Sequence, residues 1–370
     1  MKVLYLIDSL KAYGAENSLV QTAIRFKKIT PVFVHLNPNN DFKDVIISHG
    51  IKVYSLNGNV NATRSFYLNQ LQQIFEKEKP QIIHSVLFKA DLIAREFRKM
   101  RSDFLLVGSL VSNSYSKNRY RLLSPISRFK LFITQMKDKS RIGLVDYFIS
   151  NSEAIVNPNV KALGISYQKI KVIHRGRDFK KLEENIPEEF RERFQNKTLF
   201  LTVGRLVRSK GQIDLIEAFS ELSKINSNLV LLIAGDGPQY SELEKLIIDL
   251  GLEGKAFLLG FRNDIRRLLK FTDYFLFASY YEGLSGALIE AILMGKPCIV
   301  SDISENRECF PEGNGLYFKP GNISEIKAKI EMALKLDFKK QIKENYDFAV
   351  SHFSIDQTAA KYEKFYQSII

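Results

Sequence analysis

Short apolar runs alternate with amphipathic stretches along nearly the whole chain. The runs at 3–7, 31–36, 51–56, 81–84, 104–109, 147–150 and 169–173 read as strands. Between them, 15–28, 65–78, 88–100 and 152–163 repeat apolar residues at helical spacing. Such alternation predicts a parallel sheet covered by helices on both faces. Residues 174–197 are charged and weakly periodic and read as a linker. The alternation then restarts, with strands at 199–203, 229–234, 256–259, 274–277 and 298–300 and helices beginning near 210, 238, 263 and 285. The prediction is an α/β chain with two Rossmann-like, doubly wound domains, 1–180 and 181–350. They are expected to face each other across a cleft, with ligands at the carboxyl ends of the strands. A last segment, 351–370, presents Ala359, Tyr362, Phe365 and Tyr366 at roughly helical spacing.

The 370 residues support this division, because a single core usually stops growing below that length. No apolar run reaches the roughly 20 residues that span a bilayer. Cys298 and Cys309 cannot build a disulfide framework, so a cytoplasmic setting is expected. Charge changes the picture more. Residues 1–180 hold 29 Lys and Arg against 13 Asp and Glu, while the remainder holds 25 against 28. The first half is therefore expected to face something anionic: a membrane surface, a diphosphate-linked acceptor or nucleic acid. The stretch 117–141 concentrates this charge. Lys117, Arg119, Arg121, Arg128, Lys130, Lys137, Lys139 and Arg141 stand against Asp138 alone, interleaved with large apolar residues. It reads as a surface helix on anionic lipid, and equally as a solvated cationic face over a core stripe.

The most specific chemistry lies in the second half. Glu282 and Glu290 stand eight positions apart, the first beside a glycine turn and the second inside an apolar helix that ends at Gly295. The backbone N–H groups of Leu284, Ser285, Gly286 and Ala287 would face a phosphate at that helix start. Upstream, Gly204 and Arg205 follow a strand, and Lys210 and Gly211 come five residues later. Arg205 and Lys210 can address one diphosphate, the first as a planar fork and the second as a compact charge. Gly235 turns the chain after the next strand, and Phe261 and Arg262 follow the one after.

This set resembles retaining glycosyltransferase family 4, the group 1 glycosyl transferases of GT-B fold, through its two-glutamate signature (E-x7-E) and its Gly-Arg…Lys-Gly loop. The resemblance is specific over 203–318 and loose before it. It implies a donor site made of Gly204, Gly235, Leu284, Ser285, Gly286 and Ala287. Arg205 and Lys210 would bind the donor diphosphate, Glu282 the sugar and Glu290 the ribose, with Phe261 and Arg262 near the base. It also implies that the final helix returns to the first domain, and that residues 314–318 form a hairpin. Asp264 reads as a cap for the next helix.

The acceptor side is less legible. Gly14, Ala15 and Glu16 resemble the family's Gly-Gly-Ala-Glu loop, with Tyr13 in place of the first glycine. The loop lacks the dinucleotide fingerprint, so a nicotinamide cofactor is disfavoured. His84 reads equally as a site residue and as a packed strand-end histidine, and Val86 replaces the histidine that relatives carry there. Arg175 and Arg177, where relatives often carry an Asn-Gly-x-Asp turn, point to a phosphate or acidic group at the domain junction. Ser304, Glu305, Asn306 and Arg307 depart from the family's usual Gly-x-x-Glu form.

The expected activity is sugar transfer from a nucleoside diphosphate sugar, with UDP the leading base. The acceptor is expected to be a glycan or a polyprenyl-diphosphate-linked saccharide of cell-surface polysaccharide or lipopolysaccharide synthesis. The enzyme would work at the inner face of the membrane, without nucleic acid. No Asp-x-Asp pair occurs, so no metal and no cofactor are expected. A sugar-nucleotide epimerase or phosphorylase on the same scaffold, a basic nucleic-acid-binding protein and a catalytically dead carbohydrate-binding module stay open on the sequence alone.

Overall fold

The computed structural model describes residues 1–58, 62–178 and 188–370. Within it the chain divides into two compact units, each built on one parallel sheet. The first unit comprises Met1–Tyr115, Leu123–Asp178 and Phe353–Ile370. Its strands are β1 (Lys2–Ile7), β2 (Thr30–His35), β3 (Lys52–Ser55), β4 (Ile82–Val86), β5 (Leu105–Leu110), β6 (Tyr147–Ser150) and β7 (Ile170–Val172). The order in the sheet is β3-β2-β1-β4-β5-β6-β7. β1 and β4 lie at its centre and are buried almost throughout, as the continuous apolar runs of a doubly covered strand require. The register sets Tyr5 beside both Phe33 and His84.

The second unit holds residues 116–122 and the described residues from 188 to 352. Its strands are β8 (Thr198–Val203), β9 (Leu229–Ala234), β10 (Ala256–Leu258), β11 (Tyr274–Phe277), β12 (Cys298–Ser301) and β13 (Leu316–Phe318). They run in the order β10-β9-β8-β11-β12-β13. In both sheets the winding reverses beside the first strand, between β1 and β4 and between β8 and β11. At such a switch point the loops leaving the two strands diverge and open a crevice at their carboxyl ends.

Several expectations need correction. Residues 314–318 make no hairpin: β13 is a parallel edge strand, with Ile299 opposite Leu316 and Ser301 opposite Phe318. Three residues are too few for a periodicity to show. The basic stretch is two helices, Lys117–Leu122 and Pro125–Ser140. Ser124 caps the second, accepting from the Ser127 N–H at 3.4 Å, and Pro125 starts it, because proline fits a first helical position and breaks an interior one. Residues 116–122 group with the second unit, where Asn118 Nδ2 donates to the Tyr280 carbonyl at 2.8 Å. The expected linker, 174–197, includes 179–187, outside the described residues. Its flanks are structured, with Arg177 bridging Ser354 and a helix over Glu188–Arg193.

The final helix, Ile355–Ser368, packs on the first unit. Ala359 and Tyr366 are buried, with Tyr362 and Phe365 beside the same core. Tyr366 OH lies 2.9 Å from Tyr5 OH and 2.6 Å from His84 Nδ1. Glu363, also buried, accepts the backbone N–H groups of Lys27, Lys28 and Ile29 at 2.7, 2.5 and 3.2 Å. Charge-assisted bonds of this kind are about twice as strong as neutral ones, so this carboxylate anchors the helix. Among the described residues no helix is long and apolar enough to cross a membrane. Both cysteines are buried and unbridged, and burial pushes the Cys298 thiol far up, which leaves it inert.

Candidate active site

The switch point of the second unit is built from glycine turns that interlock. The loop after β8 is held against the loop after β9 by Gly204 N donating to Ala234 O at 3.0 Å and Leu206 N donating to Asp236 O at 2.9 Å. A Cβ on Gly235 would lie 1.9 Å from Gly204 O, and one on Gly237 2.4 Å from Leu206 O. Gly235 also has φ +151°, a conformation that costs other residues dearly. Gly211 repeats the device: with φ +66° it packs against Ala278 O, 2.4 Å from where its Cβ would stand. The loops after β8 and β11 are thereby brought into direct contact, and Tyr280 N donates to Ser209 O at 2.8 Å.

This contact unites residues far apart in sequence. Lys210, closing the short turn Arg208–Lys210, forms an ion pair with Glu282, and both side chains are largely buried. The Lys210 ammonium also stands over the Phe277 ring. Three residues beyond Glu282, Ser285 caps the helix Gly286–Leu293 by accepting the Leu288 N–H at 3.3 Å. Leu284, Ser285 and Gly286 are buried and Ala287 is half-buried, so small groups line the helix start. The first N–H groups of a helix have no partner within it, and they carry partial positive charge. Glu290, half-buried, lies just over one turn into the helix. Arg205 is exposed on the loop after β8, where its carbonyl accepts from Gln212 Nε2 at 3.1 Å.

Residues that sequence reasoning missed brace this loop from below. Ser301 Oγ donates to Ser279 O at 2.5 Å, and the buried Asn306 amide donates to Ser301 O at 2.9 Å. Asn306 belongs to the segment that departs from the family pattern, and that departure was the available signal. Glu305 beside it is buried, while Arg307 forks onto Asp302 at 2.5 and 2.9 Å. Tyr280 and Asp214 share a hydrogen bond; burial raises both pKa values, and the bond itself lowers that of Asp214.

Arg262 is otherwise engaged than expected. Its guanidinium forks onto Asp264 at 2.8 and 2.6 Å, which also keeps Asp264 from capping the following helix. Phe261 projects with 63% of its surface exposed. Among the described residues no three His, Cys, Asp or Glu side chains gather as metal ligands.

In the first unit, Gly14 opens the helix Gly14–Ala23 and lies near Arg175, whose Nη1 would be 3.6 Å from a Cβ at Gly14. Ala15 and Arg175 line a small cavity with Ser18, Ser109, Asn151 and Tyr362. His84 lies outside it. Fully buried, it bonds Tyr366 through Nδ1 and Ser109 Oγ through Nε2, the latter at 2.7 Å, and burial lowers its pKa to about 3. It is therefore a neutral core histidine, the packed alternative the sequence left open.

Glu16 is buried, and burial raises its pKa to about 7, with Asp8 adding to the rise and Arg175 opposing it. The sign follows from proton counts. Between pH 4.5 and about 7 the folded state holds a proton that the unfolded state has released, so stability falls as pH rises through that window. Asp91, also raised to about 7 by burial, acts in the same direction. Glu16→Gln is expected to remove its own share, about 3 kcal/mol at most between pH 4.5 and 7.5. Urea midpoints for both proteins across that range test this, and parallel pH profiles would contradict it.

The chain is similar to several known proteins. Residues 185–347 match the family model described as glycosyl transferases group 1. The UDP-Gal:alpha-D-GlcNAc-diphosphoundecaprenol alpha-1,3-galactosyltransferase of Escherichia coli is 28% identical over 65% of this chain and 62% of its own length. Lipopolysaccharide 1,6-galactosyltransferase of Salmonella typhimurium is 23% identical over 92% of each chain. The chain spans between 37% and 65% of the length of four curated relatives that it matches. Anabaena Alr3699/HepE, solved with UDP and glucose, superposes over the whole of both chains with a TM-score of 0.82 at 23% identity. The two parallel-sheet units thus have the GT-B fold, and the loops bearing Arg205, Lys210, Glu282 and Glu290 lie within the stretch that matches the group 1 glycosyl transferases.

Proposed function

We propose that this chain is a retaining glycosyltransferase of family 4. It moves a sugar from a nucleoside diphosphate sugar, with UDP as the favoured base, to a saccharide carried on a polyprenyl diphosphate or a growing surface glycan. The observation that carries this reading is the Lys210–Glu282 pair, set between the β8 and β11 loops beside the start of the helix Gly286–Leu293. A cation, a carboxylate and a helix N-terminus converge at the switch point of a doubly wound sheet. That combination suits a ligand with one anionic end and one hydroxyl-rich end.

In this mechanism the bond between the sugar's anomeric carbon and the β-phosphate oxygen breaks, and the acceptor oxygen bonds to the same carbon from the same face. The acceptor's proton passes to the departing phosphate. Charge builds on that phosphate, where fixed donors stabilise it at no cost in reorganisation. A lysine ammonium has three donors; Glu282 takes one, and the others address phosphate oxygens with Arg205 and the N–H groups of Ser285, Gly286 and Ala287. Glu282 orients a sugar hydroxyl, Glu290 binds the ribose hydroxyls, and Gly204 and Gly235 allow the close approach. Phe261 offers its exposed ring to the base. Arg262 acts only through backbone, since its fork is held by Asp264. No metal takes part in this scheme; cations and N–H dipoles serve instead. Gly14, Ala15, Glu16 and Arg175 form the acceptor side. The name of one relative, which specifies UDP-galactose and a diphosphoundecaprenol-linked sugar, supports the donor and acceptor classes.

The test is product analysis. The full chain is incubated with UDP-sugars and an undecaprenyl-diphosphate saccharide in the presence of chelator, and the new linkage is read by NMR. The expected product keeps the donor's anomeric configuration. An inverted linkage would contradict the retaining mechanism, and an epimerised donor or free sugar phosphate formed without acceptor would replace transfer with another activity.

A further inference from the structure

The helix Pro125–Ser140 carries two faces that a globular protein rarely combines. One face holds it to the first unit. Leu131 and Asp138 are buried, Asp138 accepts from Arg95 Nη1 at 2.5 Å and from Tyr115 OH at 2.8 Å, and Gln135 Nε2 donates to Ala162 O at 3.0 Å. The opposite face is apolar and outward. Ile126, Phe129, Ile133 and Met136 follow one another at spacings of three and four, with Phe132 beside them. Their exposures are 70%, 65%, 37%, 38% and 48% respectively, so this stripe is the part of the helix that no core covers. Helical geometry places Lys130 and Lys137 along one edge of the stripe and Arg128 and Lys139 along the other.

We infer that this helix docks the protein on an anionic lipid surface. It lies in the plane of the headgroups, with the five apolar side chains against the acyl boundary and the two basic edges at the level of lipid phosphates. Long cationic side chains flanking an apolar stripe suit that boundary, since their stems stay in the apolar layer while their charges reach water. Charge decides the occupant. A two-fold partner copy would bring the same cationic edges together and be repelled, whereas a lipid surface of opposite charge is complementary along the whole stripe. The bonds to Arg95, Tyr115 and Ala162 fix the helix, so the stripe is displayed rather than waiting to fold inward. This inference is independent of which sugar the second unit binds, and it holds even if transfer is not the activity.

The test uses the full chain with large unilamellar vesicles of phosphatidylcholine alone or with one third phosphatidylglycerol. Co-sedimentation is expected with the anionic vesicles and to be weak with the neutral ones. It should fall by about tenfold or more in the double variant Phe129→Ser/Phe132→Ser and also in Lys130→Glu/Lys137→Glu. Salt of about 0.5 M should weaken it by screening the charges. Both variants alter exposed positions, so unchanged thermal midpoints will show that they fold. Three results would overturn the inference: no binding to anionic vesicles, equal binding by wild type and the folded variants, or a concentration-dependent dimer that the phenylalanine variant abolishes.

Discussion

Replacing Lys210 with alanine is expected to lower kcat for sugar transfer by about 10²–10³-fold, with a smaller rise in the donor KM. The asymmetry is the informative part. Charge on the departing diphosphate is greater in the transition state than in the bound donor, so a fixed ammonium acts mainly on the rate. Lys210 is well placed for this because its backbone is fixed on both sides. Its N–H donates to Val207 O at 2.8 Å, and Gly211 follows it in a left-handed conformation wedged against Ala278. The Lys210 side chain is 24% exposed but that of Glu282 only 11%, so the alanine variant strands a mostly buried carboxylate and is expected to lose stability as well, which its thermal midpoint reports. Lys210→Arg should recover only part of the rate, since a planar fork does not reproduce a compact ammonium with three donors. Single-turnover kinetics on the two variants, with thermal midpoints alongside, are the check. Turnover in Lys210→Ala within about threefold of wild type would remove Lys210 from the chemistry.

The second large effect is structural. Gly235→Ala is expected to destabilise the second unit by about 4 kcal/mol or more, enough to unfold many domains at physiological temperature. A Cβ there would stand 1.9 Å from the Gly204 carbonyl oxygen, which is backbone and cannot swing aside. The substitution therefore has to part the β8 and β9 loops, and with them the bonds from Gly204 N to Ala234 and from Gly235 N to Gly260. Gly254→Ala is the matched control. Its φ of +77° is also left-handed, but nothing lies within 4 Å of its Cβ, so about 1 kcal/mol is expected. Urea denaturation of the three proteins separates steric from conformational cost. Similar small losses for both variants would mean that the loops do not interlock as described.

Much of the second unit was legible because its signals are local. The apolar runs at 229–234 and 274–277 match β9 and β11 end for end, since each strand is buried on both faces and bounded by a turn. The glycine positions around the switch point stood out because their backbone has few alternatives. The rest depends on contacts across the sequence. Nothing in the neighbourhood of Lys210 reveals that its partner is Glu282, 72 residues away. The burial of His84 is set by a tyrosine on the final helix, 282 residues away. Nothing in its own segment shows that Glu363 accepts the N–H of Lys27, 336 residues away. Arg262 resembles a ligand contact only while Asp264, two positions on, is taken for a cap. Residues 117–141 read as one helix by composition, and only Pro125 marks the break.

In the proposed function, a cationic pocket in the second unit receives a nucleoside diphosphate without a metal ion. Calorimetric titration of UDP into the full chain, with EDTA present, tests it most directly. Saturable one-to-one binding is expected that survives the chelator and weakens by about tenfold or more in Lys210→Ala and in Arg205→Ala, about 1.4 kcal/mol each. Binding that vanishes with EDTA, or that neither substitution changes, would contradict it.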